Sequence, residues 1–140
     1  MHGVALAHPA RQEMRKQKMD CIRCEIKTKL PSLNEYINAC RLNRYAAADF
    51  KRVAEAHVCL YIARLPQFTK PIRIHFIWIE NNHRRDYDNI AAGGRKFILD
   101  AMVKAGKLKD DNRRYVVGFS DDFVYAKEAG VILEIWEDKE

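Results

Sequence analysis

The sequence predicts an α/β (α+β) chain: a small mixed sheet of about four strands packed against helices, in one domain. Three observations carry this. The run Ile72–Glu80 alternates Ile72, Ile74, Phe76 and Trp78 with Arg73, His75, Ile77 and Ile79, the two-residue period of a strand rich in β-branched and aromatic side chains. Two other stretches, from Ala46 to Ala63 and from Asn89 to Ala105, repeat their apolar residues at helical spacing. The chain has 140 residues, 48% of them hydrophobic, enough to bury a core without structural metals or disulfides.

In chain order, residues 1–18 carry Pro9 and the cluster Arg11, Arg15, Lys16 and Lys18 without an apolar stripe, so a flexible basic tail is expected, ahead of a domain over 19–140. Ile22, Cys24 and Ile26 alternate with Arg23, Glu25 and Lys27, which predicts a half-buried first strand. Cys21 and Cys24 form a lone C-x-x-C. With Cys40 and Cys59 isolated, no second half-site completes a zinc framework, and buried or half-buried thiols are expected. Ser32 and Glu35 have the S-x-x-E spacing of a capping box, so a short helix should run from Ser32 to about Cys40. A polar link at Arg41, Asn43 and Arg44 follows.

The 46–63 helix is expected to bury Phe50, Val53, Ala54, His57, Leu60 and Tyr61, with His57 a core or boundary residue. Pro66 ends it, and Pro71 opens the central strand. The next helix buries Ile90, Phe97, Ile98, Ala101, Met102 and Ala105. Gly93-Gly94 either loosens its start or marks a turn before a firmer helix, and Gly106 is its C-cap. A strand at Tyr115–Phe119, a turn at Ser120–Asp122, extended chain through Tyr125 and a last strand over Val131–Trp136 complete the fold.

The net charge of +6 and pI near 9.2 favour an anionic partner, because basic surfaces bind polyanions through counterion release. No apolar run approaches the ~20 residues of a membrane span, so a cytoplasmic protein without a membrane is expected. The chemistry concentrates in one stretch. Asp86 and Asp88 precede a helix, Asp110 and Asp111 follow it, and Arg84, Arg85, Arg95, Lys96, Lys104, Lys107, Lys109, Arg113 and Arg114 crowd around. All-oxygen carboxylate sets suit a hard cation such as Mg²⁺, and a basic frame suits a phosphodiester substrate. No organic cofactor is suggested. The bland alternative is that Asp86 and Asp88 cap a helix and Asp110-Asp111 lie in a solvated turn.

The motifs R-R-D-Y-D-N, K-F-I-L-D-A-M and A-G-x-x-x-D-D, with P-S-L-N-E-Y-I-N-A upstream, resemble the RusA family of Holliday junction resolvases of phages and prophages, over about Cys21 to Trp136. The resemblance implies a homodimeric α/β nuclease that binds four-way DNA junctions and, with Mg²⁺ or Mn²⁺, makes paired nicks. It assigns Asp86, Asp88 and Asp111 as metal-binding catalytic carboxylates, with Asp110 and Asp100 as auxiliary acids. Ala92 stands one turn after the aspartates, where the family's lysine is found; Lys96, a further turn along, keeps the family's spacing to the D-A pair and is the candidate catalytic lysine. Arg84, Arg85, Arg113 and Arg114 are candidate DNA-backbone contacts, with Arg44 and Lys51 as further basic candidates. A broader flap or fork endonuclease and a non-catalytic junction-binding protein are the alternatives.

Overall fold

The computed structural model describes residues 21–138; the tail expected over 1–18 lies outside them. In chain order the elements are β1 (Ile22–Ile26), α1 (Leu33–Leu42), α2 (Arg44–Ile62), β2 (Ile72–Glu80), α3 (Tyr87–Lys104), β3 (Val116–Tyr125) and β4 (Gly130–Glu137). The four strands form one mixed sheet in the order β1-β4-β2-β3. β4 runs antiparallel to both β1 and β2, while β3 runs parallel to β2, which α3 makes possible as the crossover. The expected α+β class therefore holds.

β2 is central because its alternation gives it two usable faces. Ile72, Ile74, Phe76 and Trp78 point to the helical side, and register places them beside Val131, Leu133 and Ile135 of β4. Val58 and Ile62 of α2 and Ile90, Ile98, Ala101 and Met102 of α3 close the same core. Fully burying a side chain such as Phe76 or Ile98 contributes about 1.5–3 kcal/mol. The opposite face carries a buried polar row: His75 lies 2.6 Å from Ser120 Oγ and 3.1 Å from Asp122 Oδ2, and Arg23 donates to Glu134 at 3.4 Å.

Ser32 caps α1 as its spacing predicts: its hydroxyl accepts from the Glu35 N–H at 3.2 Å, and the Glu35 carboxylate accepts from the Ser32 N–H at 3.0 Å. Burial alone pushes the Glu35 carboxyl up, but the Ser32 hydrogen bonds and the Arg85 guanidinium outweigh it and hold it below the usual range. The polar link expected after α1 shrinks to one residue. Asn43 ends α1 and caps α2 by accepting from the Ala46 N–H at 2.8 Å.

Three sequence expectations change. α2 buries Ala54, Glu55, Val58 and Ile62, whereas His57 and Leu60 face water. The apolar stripe was misplaced because a buried charge sits on the true one: Glu55 accepts from Lys104 Nζ at 2.5 Å and has Lys51 at 3.8 Å. α3 is continuous through Gly93-Gly94, and both glycines are buried. A Cβ on Gly93 would lie 2.5 Å from the Leu33 nitrogen, and one on Gly94 would lie 2.4 Å from the Trp78 ring, so close approach is their role. No turn breaks β3 at Ser120–Asp122. These polar residues are taken up across the sheet, with Asp121 accepting from the Trp78 indole at 2.8 Å and from Arg95 at 2.7 Å.

Gly106 ends α3 as expected. It takes φ +75° just past the cap, with its own N–H donating to Val103 O and the Lys107 N–H to Met102 O, a Schellman closure.

Candidate metal and nucleic-acid site

α3 begins where β2 ends, so its first turn lies at the carboxyl end of the two parallel strands. Asp86 is the N-cap, with extended backbone (φ −74°, ψ 150°), yet its side chain makes no capping hydrogen bond. Asp88 follows in the first turn. Both are exposed, and neither side chain enters an ion pair or hydrogen bond with another described residue. The sequence alternative, in which these aspartates serve as helix caps, therefore fails for the Asp86 side chain.

Other acids nearby are engaged. Glu80 accepts from both Arg85 Nε at 3.0 Å and Arg85 Nη2 at 2.7 Å. Asp121 is held by Arg95 and Trp78. Asp100, expected as an auxiliary acid, is bridged by Lys51 at 3.1 Å and Lys96 at 3.6 Å. Its hydrogen bond is the main cause that raises the Lys51 pKa above the ordinary lysine value, against the opposing effect of burial.

The DD pair is elsewhere. Asp110 and Asp111 follow the C-terminal end of α3, in the turn that leads into β3. The Asp110 carboxylate accepts from the Asp111 N–H at 2.7 Å and from Asn112 Nδ2 at 3.0 Å. Asp111 is exposed. α3, 18 residues and about 27 Å long, lies between the two acidic pairs. Among the described residues no three His, Cys, Asp or Glu side chains lie together as a metal-holding group. Within one chain, α3 stands between the Asp86–Asp88 pair at its start and the Asp110–Asp111 pair beyond its end, and the described residues of one chain do not gather Asp86, Asp88 and Asp111.

Lys96 lies eight residues after Asp88, about 12 Å along α3, and is engaged with Asp100 and the Tyr36 ring. It does not approach the Asp86–Asp88 pair. Of the basic candidates, Arg84, Arg113, Arg114 and Arg44 are exposed. Arg85 and Lys51 are not available in the same way. Arg85 spends its guanidinium on Glu80, Glu35 and the Leu30 carbonyl, and Lys51 spends its ammonium on Asp100 and Glu55.

Sequence reasoning named Arg84 beside Asp86 but missed Lys29 and the aromatic surroundings. Lys29, from the loop after β1, lines a cleft of about 380 Å³ together with Asn82, Arg84, Arg85 and Glu35. Tyr87 and Tyr125 are exposed and line a second cleft. Lys29 gave no local signal, because only the pairing of β1 through β4 to β2 brings its loop beside Asn81, whose side chain accepts from Lys29 Nζ at 3.3 Å. The sequence Asp86-Tyr87-Asp88 did contain a clue, an aromatic residue between two exposed acids.

No described helix is long and apolar enough to cross a membrane. No protein-family model matches this chain, and no curated protein sequence matches it significantly.

Proposed function

We propose that this protein is a divalent-cation-dependent endodeoxyribonuclease of the RusA type, acting on four-way DNA junctions as a homodimer. The observation that carries the reading is the state of Asp86 and Asp88: two exposed, uncommitted carboxylates one residue apart, in a chain whose neighbouring acids are nearly all paired with cations. Their donor set, oxygen only and open to water, fits Mg²⁺ or Mn²⁺, which need few protein carboxylates. Asp86 and Asp88 would hold such an ion, which supplies a polarised water and charge neutralisation at phosphate.

The rest of the catalytic set is reached through symmetry. β2 and β3 are parallel, so their carboxyl ends share the Asp86 end of the sheet, and the start of β3 shares the Asp111 end. A twofold axis beside β3 reverses one copy against the other and carries the partner's DD turn toward this chain's D-x-D. Among the described residues no strand pairs with the outer edge of β3, a ten-residue strand that offers unsatisfied N–H and C=O groups for such a union. Two composite centres related by a twofold also match a four-way junction, which needs two symmetric cuts.

The chain's own groups would then divide the work. Asp86, Asp88 and the opposing copy's DD turn supply negative charge. Arg84 and Lys29 bind the phosphates beside the cut, and Arg113 and Arg114, next to the DD turn, extend the track. Lys96 stays with Asp100 and stabilises α3 against α1.

The test is nicking of an immobile four-way junction with Mg²⁺, comparing wild type with Asp86→Asn, Asp88→Asn and Asp111→Asn. Symmetric nicks by wild type alone, with binding retained by the variants, are expected. Intact junctions after incubation of wild type with either Mg²⁺ or Mn²⁺ would remove the proposal, and equal cutting of forks, flaps and linear duplex would remove its junction specificity.

A further inference from the structure

Next to the Asp86–Asp88 pair the surface turns from charged to aromatic. Tyr87 lays its ring on Phe123 of β3, with centroids 4.1 Å apart and planes 11° from parallel. His83, from the β2–α3 loop, lies on Tyr125 at the end of β3, with centroids 4.4 Å apart and planes 6° from parallel. Each stack has an exposed member, Tyr87 at 64% and Tyr125 at 58%, while Phe123 is half-buried against the core. Between the two stacks lies a cleft of about 150 Å³, with Ile90 and the Glu80–Arg85 pair also in its lining.

Three exposed rings, His83, Tyr87 and Tyr125, held at a charged centre are a poor way to stabilise a fold, and exposed aromatic clusters of this kind mark a binding surface. The cleft is well below the roughly 300–1,000 Å³ of sites for drug-sized ligands, so it suits one flat ring system. Asn82 and Arg85 line both this cleft and the basic one that holds Lys29 and Arg84. A slot for something planar and aromatic thus adjoins a slot for something anionic, and Arg85 and Tyr87 in their linings are chain neighbours of the paired carboxylates. A nucleotide has that combination of parts.

We propose that the cleft between the Tyr87–Phe123 and His83–Tyr125 stacks takes one unstacked nucleobase of the strand whose phosphate lies at Asp86 and Asp88. This rests on the nuclease reading and deepens it by assigning a source of substrate selection. A base inside a continuous duplex must be unstacked and unpaired before it can enter, whereas at a crossover or other branch point that cost is smallest. The cleft therefore favours branched over linear DNA. Stacking accepts any base, so it confers structure selectivity with little sequence selectivity.

The experiment uses the full chain and an immobile four-way junction carrying 5-iodouracil at the crossover nucleotides, in EDTA so that binding is read apart from cutting. Near-ultraviolet irradiation followed by peptide mapping should place crosslinks on Tyr87, Tyr125 or His83. Tyr87→Leu and Tyr125→Leu should each weaken junction binding by about 5- to 150-fold, the range for losing one base–aromatic stack, with linear-duplex binding unchanged and the Phe variants close to wild type. Crosslinks that map elsewhere, or Leu variants that bind the junction like wild type, would overturn the slot. So would a Leu variant that sediments as a monomer where wild type is a dimer, because the rings would then belong to the interface between copies. If wild type nicks the junction with Mg²⁺ yet gives no crosslink at these rings, the slot falls and the nuclease stands; if it neither binds nor nicks, both fall.

Discussion

The separation of the acidic pairs makes a quantitative claim testable by mixing subunits. α3, about 27 Å long, stands between Asp88 in its first turn and Asp111 beyond its last, so a centre using both would take them from two chains. Mix Asp88→Asn with Asp111→Asn in equal amounts and let subunits exchange. About half the dimers are then mixed, and each mixed dimer has one centre with every carboxylate and one with neither Asp88 nor Asp111. About a quarter of all centres are restored, so nicking should return to about a quarter of wild type, as single nicks without paired resolution. If each centre used one chain only, every centre in the mixture would lack an aspartate and nothing would return. A second mixture sharpens the contrast. Wild type with a chain carrying both substitutions should keep about a quarter of its activity if the centres are shared, and about half if they are not. A gel assay separating nicked from resolved product, with subunit exchange verified by native mass spectrometry, reads all four numbers. No recovery in the first mixture together with half activity in the second would refute the shared centre.

Further outcomes follow from packing and charge. Gly93→Ala should destabilise by up to about 2 kcal/mol in urea unfolding, because overpacking against the backbone of residues 31–33 costs about 1–3 kcal/mol and helix propensity returns about 1. Gly106→Ala should cost about 1 kcal/mol for a different reason, since nothing lies near its Cβ but φ +75° strains any L side chain. The raised Lys51 pKa implies that its stabilisation is complete below the ordinary lysine value and lost as pH rises through the higher folded value. The urea midpoint of wild type should therefore fall at alkaline pH, and a Lys51→Met variant, less stable at pH 8, should show a weaker fall. For Glu35 the sign reverses: its stabilisation is present above the ordinary glutamate value and lost as pH falls through the lowered folded one, so Glu35→Gln should flatten the acid side of the stability curve. In DNA binding, Arg84→Ala, Arg113→Ala and Arg114→Ala should each reduce the log–log salt slope by about 1, whereas Arg85→Ala and Lys51→Ala should lower stability and leave the slope alone.

The sequence alone determined the elements wherever a local rule acts on neighbouring residues. The capping box fixed the start of α1, two-residue alternation placed β1 and gave the bounds of β2, and a glycine after the last apolar turn fixed the end of α3. It also picked out Asp86, Asp88 and Asp111 as a candidate set. Tertiary structure decided what periodicity cannot encode, which is the partner of each polar side chain. Glu55 reads as a surface residue until Lys104 and Lys51 meet it, and the reading of α2 turned to the wrong face for that reason. Ser120 and Asp122 read as a turn until His75 stands across from them on the neighbouring strand. Gly93-Gly94 reads as a weak point until the backbone of Ser32–Leu33 and the Trp78 ring arrive against it. The rigid length of α3 placed the two acidic pairs at opposite ends of the sheet, because a helix transmits sequence separation as distance at 1.5 Å per residue.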